Sequence, residues 1–229
     1  MEKVVKKAMK ILIFNPFYIP SKLICLLRSW YYTQKVDSGK GRIIIQDPFI
    51  KFKIIKGRGS SFSLLGNLII QEHNGLIDPI YIRMGNNSIL NINGDFNLGS
   101  GVRIILSDKA SLIIGGKVNE SASGITANTL IMVYKKITIG KDFVCAWNVF
   151  ISDSDWHSIE GENHSDDVNI GDHVWIANSC SILKGVKIGD NCIVGSHSKL
   201  IKKAYIDNTM IAGIPAKVVK TEINWKRDF

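Results

Sequence analysis

His157 stands out as a residue able to move a proton. It lies in Ser152–Asp167, where Trp156 and Ile159 are the large apolar side chains against Asp153, Asp155, Glu160, Glu162, His164, Asp166 and Asp167. An imidazole titrates near neutral pH. It can take a proton from a hydroxyl or amine as that group attacks an activated carbonyl, with no need of a nucleophilic serine or a metal. The neighbouring carboxylates are expected to orient the ring and stabilise its protonated form. The chemistry indicated is direct acyl transfer with general-base catalysis. A histidine on a loop is ordinarily only a surface residue, and the setting of this loop is what singles it out.

That setting is a repeat. Ile170, Ile176, Ile182, Ile188, Val194, Leu200, Ile206 and Ala212 follow one another at six-residue intervals. A period of six fits neither a helix nor an ordinary strand and requires a backbone that turns a corner every hexad. Three hexads close a triangular coil, so the expected fold is all-β, a parallel β-helix. The residue two before each aliphatic is also apolar or small (Val168, Val174, Cys180, Val186, Cys192, Ser198, Ala204), and both sets are expected to face one narrow core. Gly171, Ala177, Gly189 and Gly195 follow the aliphatics, as suits a tight corner needing room or an unusual backbone conformation. Residues eighteen apart, such as Ile170 and Ile188, then stack at roughly 4.8 Å. The lattice slips by one between Ile151 and Ile170, and the polar composition in between cannot line a core. Ser152–Asp167 is therefore expected to leave the coil as an exposed loop.

Residues 41 to 140 show short alternating runs separated by glycine and asparagine, read as irregular early coils. The domain expected to form the β-helix is 41–215, followed by a short tail at 216–229. Cys25, Cys145, Cys180 and Cys192 show no CxxC spacing, and three of them fall on repeat positions, which points to reduced, buried thiols.

A net charge of +9 calls for an explanation. In 1–40, Lys3, Lys6, Lys7, Lys10, Lys22 and Arg28 sit among apolar and aromatic residues such as Ile11, Phe14, Leu23, Leu27, Trp30 and Tyr31, and Pro16 and Pro20 interrupt the run. Two short amphipathic helices are expected. They either cap the open end of the β-helix or lie on anionic lipid, two roles that are compatible. No nucleic-acid-binding motif accompanies the charge. No run of eighteen apolar residues and no signal-peptide cleavage pattern is present, so a cytoplasmic chain is expected, working at the inner face of the cytoplasmic membrane.

The segments ITIGKDFVCAWNVFI (Ile137–Ile151), SDSDWHSI (Ser152–Ile159), GDHVWIANSCSILKGVKIGDNCIVGS (Gly171–Ser196) and IAGIPAKVVK (Ile211–Lys220) resemble the hexapeptide-repeat acyltransferases. The nearest branch holds galactoside and maltose acetyltransferases and the O-acetyltransferases of bacterial capsule and O-antigen. The resemblance covers about the last ninety residues. It implies a left-handed β-helix, a homotrimer with active sites built between subunits, acetyl-CoA as acyl donor, no metal, and a carbohydrate acceptor. It implies His157 as the catalytic base. It places Trp175, Asn178, Ser196, Ile201, Lys202, Lys217 and Lys220 along the donor cleft, and Asn128, Asp155 and Trp156 on the acceptor side. The implied activity is O-acetylation of a surface polysaccharide or its lipid-linked precursor. N-acylation of an amino sugar nucleotide is the alternative with the same donor. A γ-type carbonic anhydrase shares the repeat but needs three zinc histidines, and the chain lacks that family's close histidine pair. An inactive repeat scaffold is the remaining reading.

Overall fold

A computed structural model describes residues 18–73, 75–118 and 123–227; Lys3, Lys6, Lys7, Lys10 and the other residues before 18 lie outside the described residues. The chain winds as a left-handed parallel β-helix with three faces. Face I contains Ile43–Ile45, Leu68–Ile70, Phe96–Leu98, Gly124–Ala127, Val144–Trp147, Trp175–Ile176, Ile193–Val194, Met210–Gly213 and, antiparallel at its end, Ala216–Lys220. Face II runs from Phe52–Lys56 through Ile80–Met84, Arg103–Leu106, Leu130–Val133, Phe150–Ser152 and Ser181–Ile182 to Lys199–Leu200. Face III runs from Ser61–Leu64 to Ala204–Tyr205.

Alternate side chains enter a continuous dry core, and Ile170 stacks on Ile188, Ile176 on Val194 and Ile182 on Leu200. The regular lattice ends there. Ile188 is paired with Tyr205 and Val194 with Ile211, because the last coil is one residue shorter: corner bonds span 18 residues between Asp172 and Asp190 but 17 between Asp190 and Asp207. Tyr205 and Ile211 are buried, and Ile206, expected inside, is exposed. Ala204 is exposed as well, while Ala212 is half-buried.

Many of the corners are turned by a residue in the left-handed region. Asn128, Asn148, Ser179 and His197 serve corner I/II; Asn87, Lys109 and Gly185 serve corner II/III; Asp142, His173, Asn191 and Asn208 serve corner III/I. The repeated glycine does something else. Gly171 has no positive φ, but a Cβ there would lie 2.3 Å from Asp190 Oδ1 and 2.8 Å from the backbone of Gly189. That carboxylate is committed, since it accepts the Asp172 N–H at 2.7 Å, just as Asp172 accepts from Lys141 and Asp207 from Asp190. The glycine makes room for this ladder. Gly171→Ala is expected to cost about 1–3 kcal/mol through overpacking, read as a lower urea midpoint. Gly195→Ala meets its nearest atom, Ala212 Cβ, only at 3.2 Å and is expected to cost less.

Among the described residues one α-helix, α1 (Tyr18–Thr33), closes the N-terminal end. The expected break at Pro20 does not occur: Pro20 sits in the first turn, where its missing N–H has no intrahelical partner to lose. One stripe of α1 serves the first coil. Thr33 Oγ1 and Ser29 Oγ accept the N–H groups of Ile43 and Ile45, Arg28 donates to the carbonyls of Pro48 and Ile50, and Tyr32 donates to that of Phe52. Cys25 is buried beneath it. The opposite stripe, with Leu23, Leu26, Leu27 and Trp30, is exposed.

Candidate functional site

The chain leaves the coil at corner II/III, between Phe150–Ser152 and Val168–Ile170. The excursion is tied at its root by Asp153. This carboxylate is fully buried and accepts three N–H groups from the preceding coil, those of Tyr134, Lys135 and Lys136, at 2.6, 2.7 and 2.6 Å. Its own carbonyl accepts the Asp166 N–H. Ser154 bridges to Ser165 and hydrogen-bonds the His164 ring at 3.2 Å, and that ring meets Tyr134 edge-on. Trp156 takes a left-handed conformation and also lays its ring edge-on to Tyr134, with 5.7 Å between centroids. His157 follows on the exposed crest of this braced loop.

Three of the loop carboxylates are engaged by lysines rather than by the imidazole of His157. Asp155 pairs with Lys184 at 2.5 Å, Asp166 with Lys202 at 3.1 Å and Asp167 with Lys135 at 2.7 Å. The hydrogen bond from Lys202 is the main cause holding Asp166 below the usual carboxylate range. Their role here is to fasten the loop: Lys184 also donates to the carbonyl of Asn163.

A groove of about 450 Å³ crosses face I. Thr126, Val144, Ala146 and Ala177 form a smooth floor, a consequence of small outward residues on three successive strands, with Trp147 and Trp175 beside it. Asn178 and Ser196 stand at the corner I/II edge, where Ser196 Oγ donates to Asn178 Oδ1 at 2.7 Å. The other edge is the chain's tail, which folds back along corner III/I. Ile223 is bound to Asn208 and Asn191, and Trp225 stacks on His173 at 4.0 Å with an interplanar angle of 12°. Trp225 Nε1 donates to the His173 carbonyl, and its carbonyl meets His173 Nε2 at 3.0 Å. This strap carries Lys226 and Arg227 to the groove. Trp147, Trp225, Lys226 and Arg227 are groove residues that the sequence reading missed; the aromatic–basic run Trp225–Arg227 was the available signal.

Of the residues named from sequence, Trp175, Asn178 and Ser196 share this groove. Lys217 and Lys220 lie outside it, exposed on the antiparallel strand Ala216–Lys220 beyond Met210–Gly213, where the sequence reading had a tail. Ile201 and Lys202 belong to corner II/III with the loop. Asn128 is at corner I/II, apart from Asp155 and Trp156, and lines a second cavity with Asp78, Arg103 and Asn148. Within one chain, therefore, His157 and the groove occupy different sides of the prism. The five histidines are scattered likewise: His73 between Leu68–Ile70 and Ile80–Met84, His157 and His164 on the loop, His173 under Trp225, His197 at corner I/II. Cys145 and Cys180 are packing groups whose burial pushes both thiols up, Cys145 the further.

Comparison with known proteins agrees with this architecture. Residues 167–202 match the family model described as bacterial transferase hexapeptide (six repeats). A curated polysialic acid O-acetyltransferase from Neisseria meningitidis is 42% identical over 107 residues, 44% of this chain and 47% of that protein, so the match spans about half of that relative's length. The crystal structure of the polysialic acid O-acetyltransferase OatWY is 33% identical, covers 84% of this chain and 92% of its own, and superposes with a TM-score of 0.55. The chain belongs to the hexapeptide-repeat acyltransferases.

Proposed function

We propose that the protein is an acetyl-CoA-dependent O-acetyltransferase acting on a hydroxyl of an acidic bacterial surface polysaccharide or of its lipid-linked precursor. The observation that carries this reading is the face I groove, with Trp175, Asn178 and Ser196 on a floor of small residues. Such a floor suits a slender pantetheine arm, Asn178 and Ser196 offer polar partners for its amides, and Lys226 and Arg227 offer positive charge for a nucleotide's phosphates. The likeness to polysialic acid O-acetyltransferases supports the acceptor class.

In this reading His157 takes the proton of the acceptor hydroxyl as its oxygen bonds to the thioester carbonyl carbon. The carbon–sulfur bond breaks, the proton passes to the departing thiolate, and an ester and CoA result. Groove and loop meet across a subunit boundary in a homotrimer, so His157 of one chain serves the groove of its neighbour. The exposed stripe of α1 lies against the inner face of the cytoplasmic membrane, near a lipid-linked acceptor; no described helix is long and apolar enough to cross a membrane.

The reading is tested by incubating the protein with acetyl-CoA and polysialic acid. Hydroxylamine-labile acetyl on the polymer is expected. An alkali-stable amide instead would move the reading to N-acylation, and no acetyl transfer to any glycan would sink it. The double variant Lys226→Ala/Arg227→Ala is expected to raise KM for acetyl-CoA about tenfold with kcat little changed, from lost charge-assisted contacts worth about 1.4 kcal/mol together. Equal KM values in wild type and variant would remove the strap from the donor site.

A further inference from the structure

A larger groove, of about 870 Å³, opens far from the acyl-donor groove, between α1 and the first strands of face II. Its lining includes Tyr31, Lys35, Phe49, Lys51, Lys53 and Tyr81, and among the described residues no carboxylate lines it. Two of the lining side chains are tied into the first coil: Arg28 and Tyr32 donate to the carbonyls of Pro48, Ile50 and Phe52. Packing accounts poorly for what remains on the surface. Phe49 is 83% exposed, and Lys51 and Lys53 point outward from face II.

The parallel register extends this surface. Lys53 is aligned with Tyr81 and Tyr81 with Arg103, while Ile55 is aligned with Arg83 and Arg83 with Ile105. Successive coils thus stack cation, aromatic and cation in a column. Arg103 opens on the cavity of about 400 Å³ that holds Asn128, Asn148 and one carboxylate, Asp78. The same face leads on to Phe150–Ser152, the root of the His157 loop. From the strand of Lys53 to that root is four strand spacings, roughly 19 Å.

We propose that this column and groove form a second binding site, for a stretch of acidic polysaccharide distant from the hydroxyl being modified. Lysine and arginine match sugar carboxylates, and Tyr81, Tyr31 and Phe49 offer flat faces to sugar rings. Each exposed ion pair contributes little, on the order of 0–1 kcal/mol. Affinity therefore accumulates over several contacts and grows with polymer length. The site deepens the proposed function and rests on its glycan acceptor, but its binding is measurable without catalysis.

The test uses the full chain with His157→Ala, run through gels containing polysialic acid, polygalacturonate or neutral dextran. Retardation by an acidic polymer and not by dextran is expected, weakened at least tenfold by Lys51→Glu/Lys53→Glu and by the milder Lys51→Gln/Lys53→Gln, with thermal midpoints confirming folding. In the active protein the same changes are expected to raise KM for long polysialic acid about tenfold, leaving kcat and KM for its trimer unchanged. The site is overturned if neither acidic polymer retards the protein, if the variants match the parent, or if trimer and polymer suffer equally. It is overturned in favour of a lipid site if the variants lose binding to phosphatidylglycerol vesicles while polymer binding persists. Polymer binding without acetyl transfer would leave this site standing and remove the proposed function instead.

Discussion

His157→Ala is expected to lower kcat for acetyl transfer by about 10²–10⁴-fold while leaving acetyl-CoA affinity within twofold of wild type. The two expectations separate because His157 acts on the acceptor's proton, whereas the donor is held by the groove residues of face I, among which His157 is not one. Asp155→Asn provides the contrast. Its carboxylate is paired with Lys184 and fastens the loop, so a modest loss of activity is expected from loosening and none from the proton transfer itself. Steady-state rates and calorimetric binding of acetyl-CoA check both. A further consequence concerns assembly. If one chain's loop serves its neighbour's groove, co-expressed His157→Ala and Trp175→Ala chains, each inactive alone, form mixed trimers with some intact sites and recover measurable activity. No recovery from confirmed mixed trimers would place loop and groove function within one chain.

The carboxylates around His157 show where composition misleads. Six acidic residues in one loop suggested an imidazole held by a carboxylate. The lysines that claim Asp155, Asp166 and Asp167 are Lys184, Lys202 and Lys135, which come from other coils and become neighbours only once the coils stack. Sequence spacing along the loop carries no information about them.

The same distinction runs through the fold. From Val168 to Leu200 every coil has one length, so hexad position and burial coincide and the inward set is readable by eye. Corner bonds elsewhere span 28 residues at Asn67–Asp95, 22 at Asn86–Asp108 and 31 at Lys141–Asp172, and no fixed period survives such insertions. A deletion of one residue has the same effect at the far end, where Tyr205 and Ile211 replace Ile206 and Ala212 as the inward residues. Trp175, Asn178 and Ser196, which the resemblance to the acyltransferases brought together, occupy related positions in successive regular coils. The strap could not be placed from sequence. Its holding partners Asn208, Asn191 and His173 are corner residues, 17 and 18 positions apart, that align only when the coils are stacked.

Asp153→Ala is expected to be the most destabilising single change in the loop, by about 3 kcal/mol or more, and to take activity with it. The side chain is fully buried, and its loss leaves the N–H groups of Tyr134, Lys135 and Lys136 without their acceptor. These are charge-assisted bonds, stronger than neutral ones, and removing one partner costs more than the bond contributes. Asp153→Asn keeps the volume but offers one acceptor oxygen and turns an NH₂ toward the remaining N–H groups, so a smaller loss of the same sign is expected. Urea unfolding measures the stability. Hydrogen exchange at 134–136 locates it, because these amides are protected only while the carboxylate is in place. The effect on catalysis follows from position. Asp153 joins the loop that carries His157 to the coil beneath, through its carboxylate on one side and its carbonyl bond to the Asp166 N–H on the other. A displaced loop lowers kcat while the residues that line the donor groove stay in place, so KM for acetyl-CoA should hold in folded Asp153→Asn. An Asp153→Ala protein with unchanged urea midpoint and unchanged kcat would show that the three hydrogen bonds neither hold the loop nor aim its histidine.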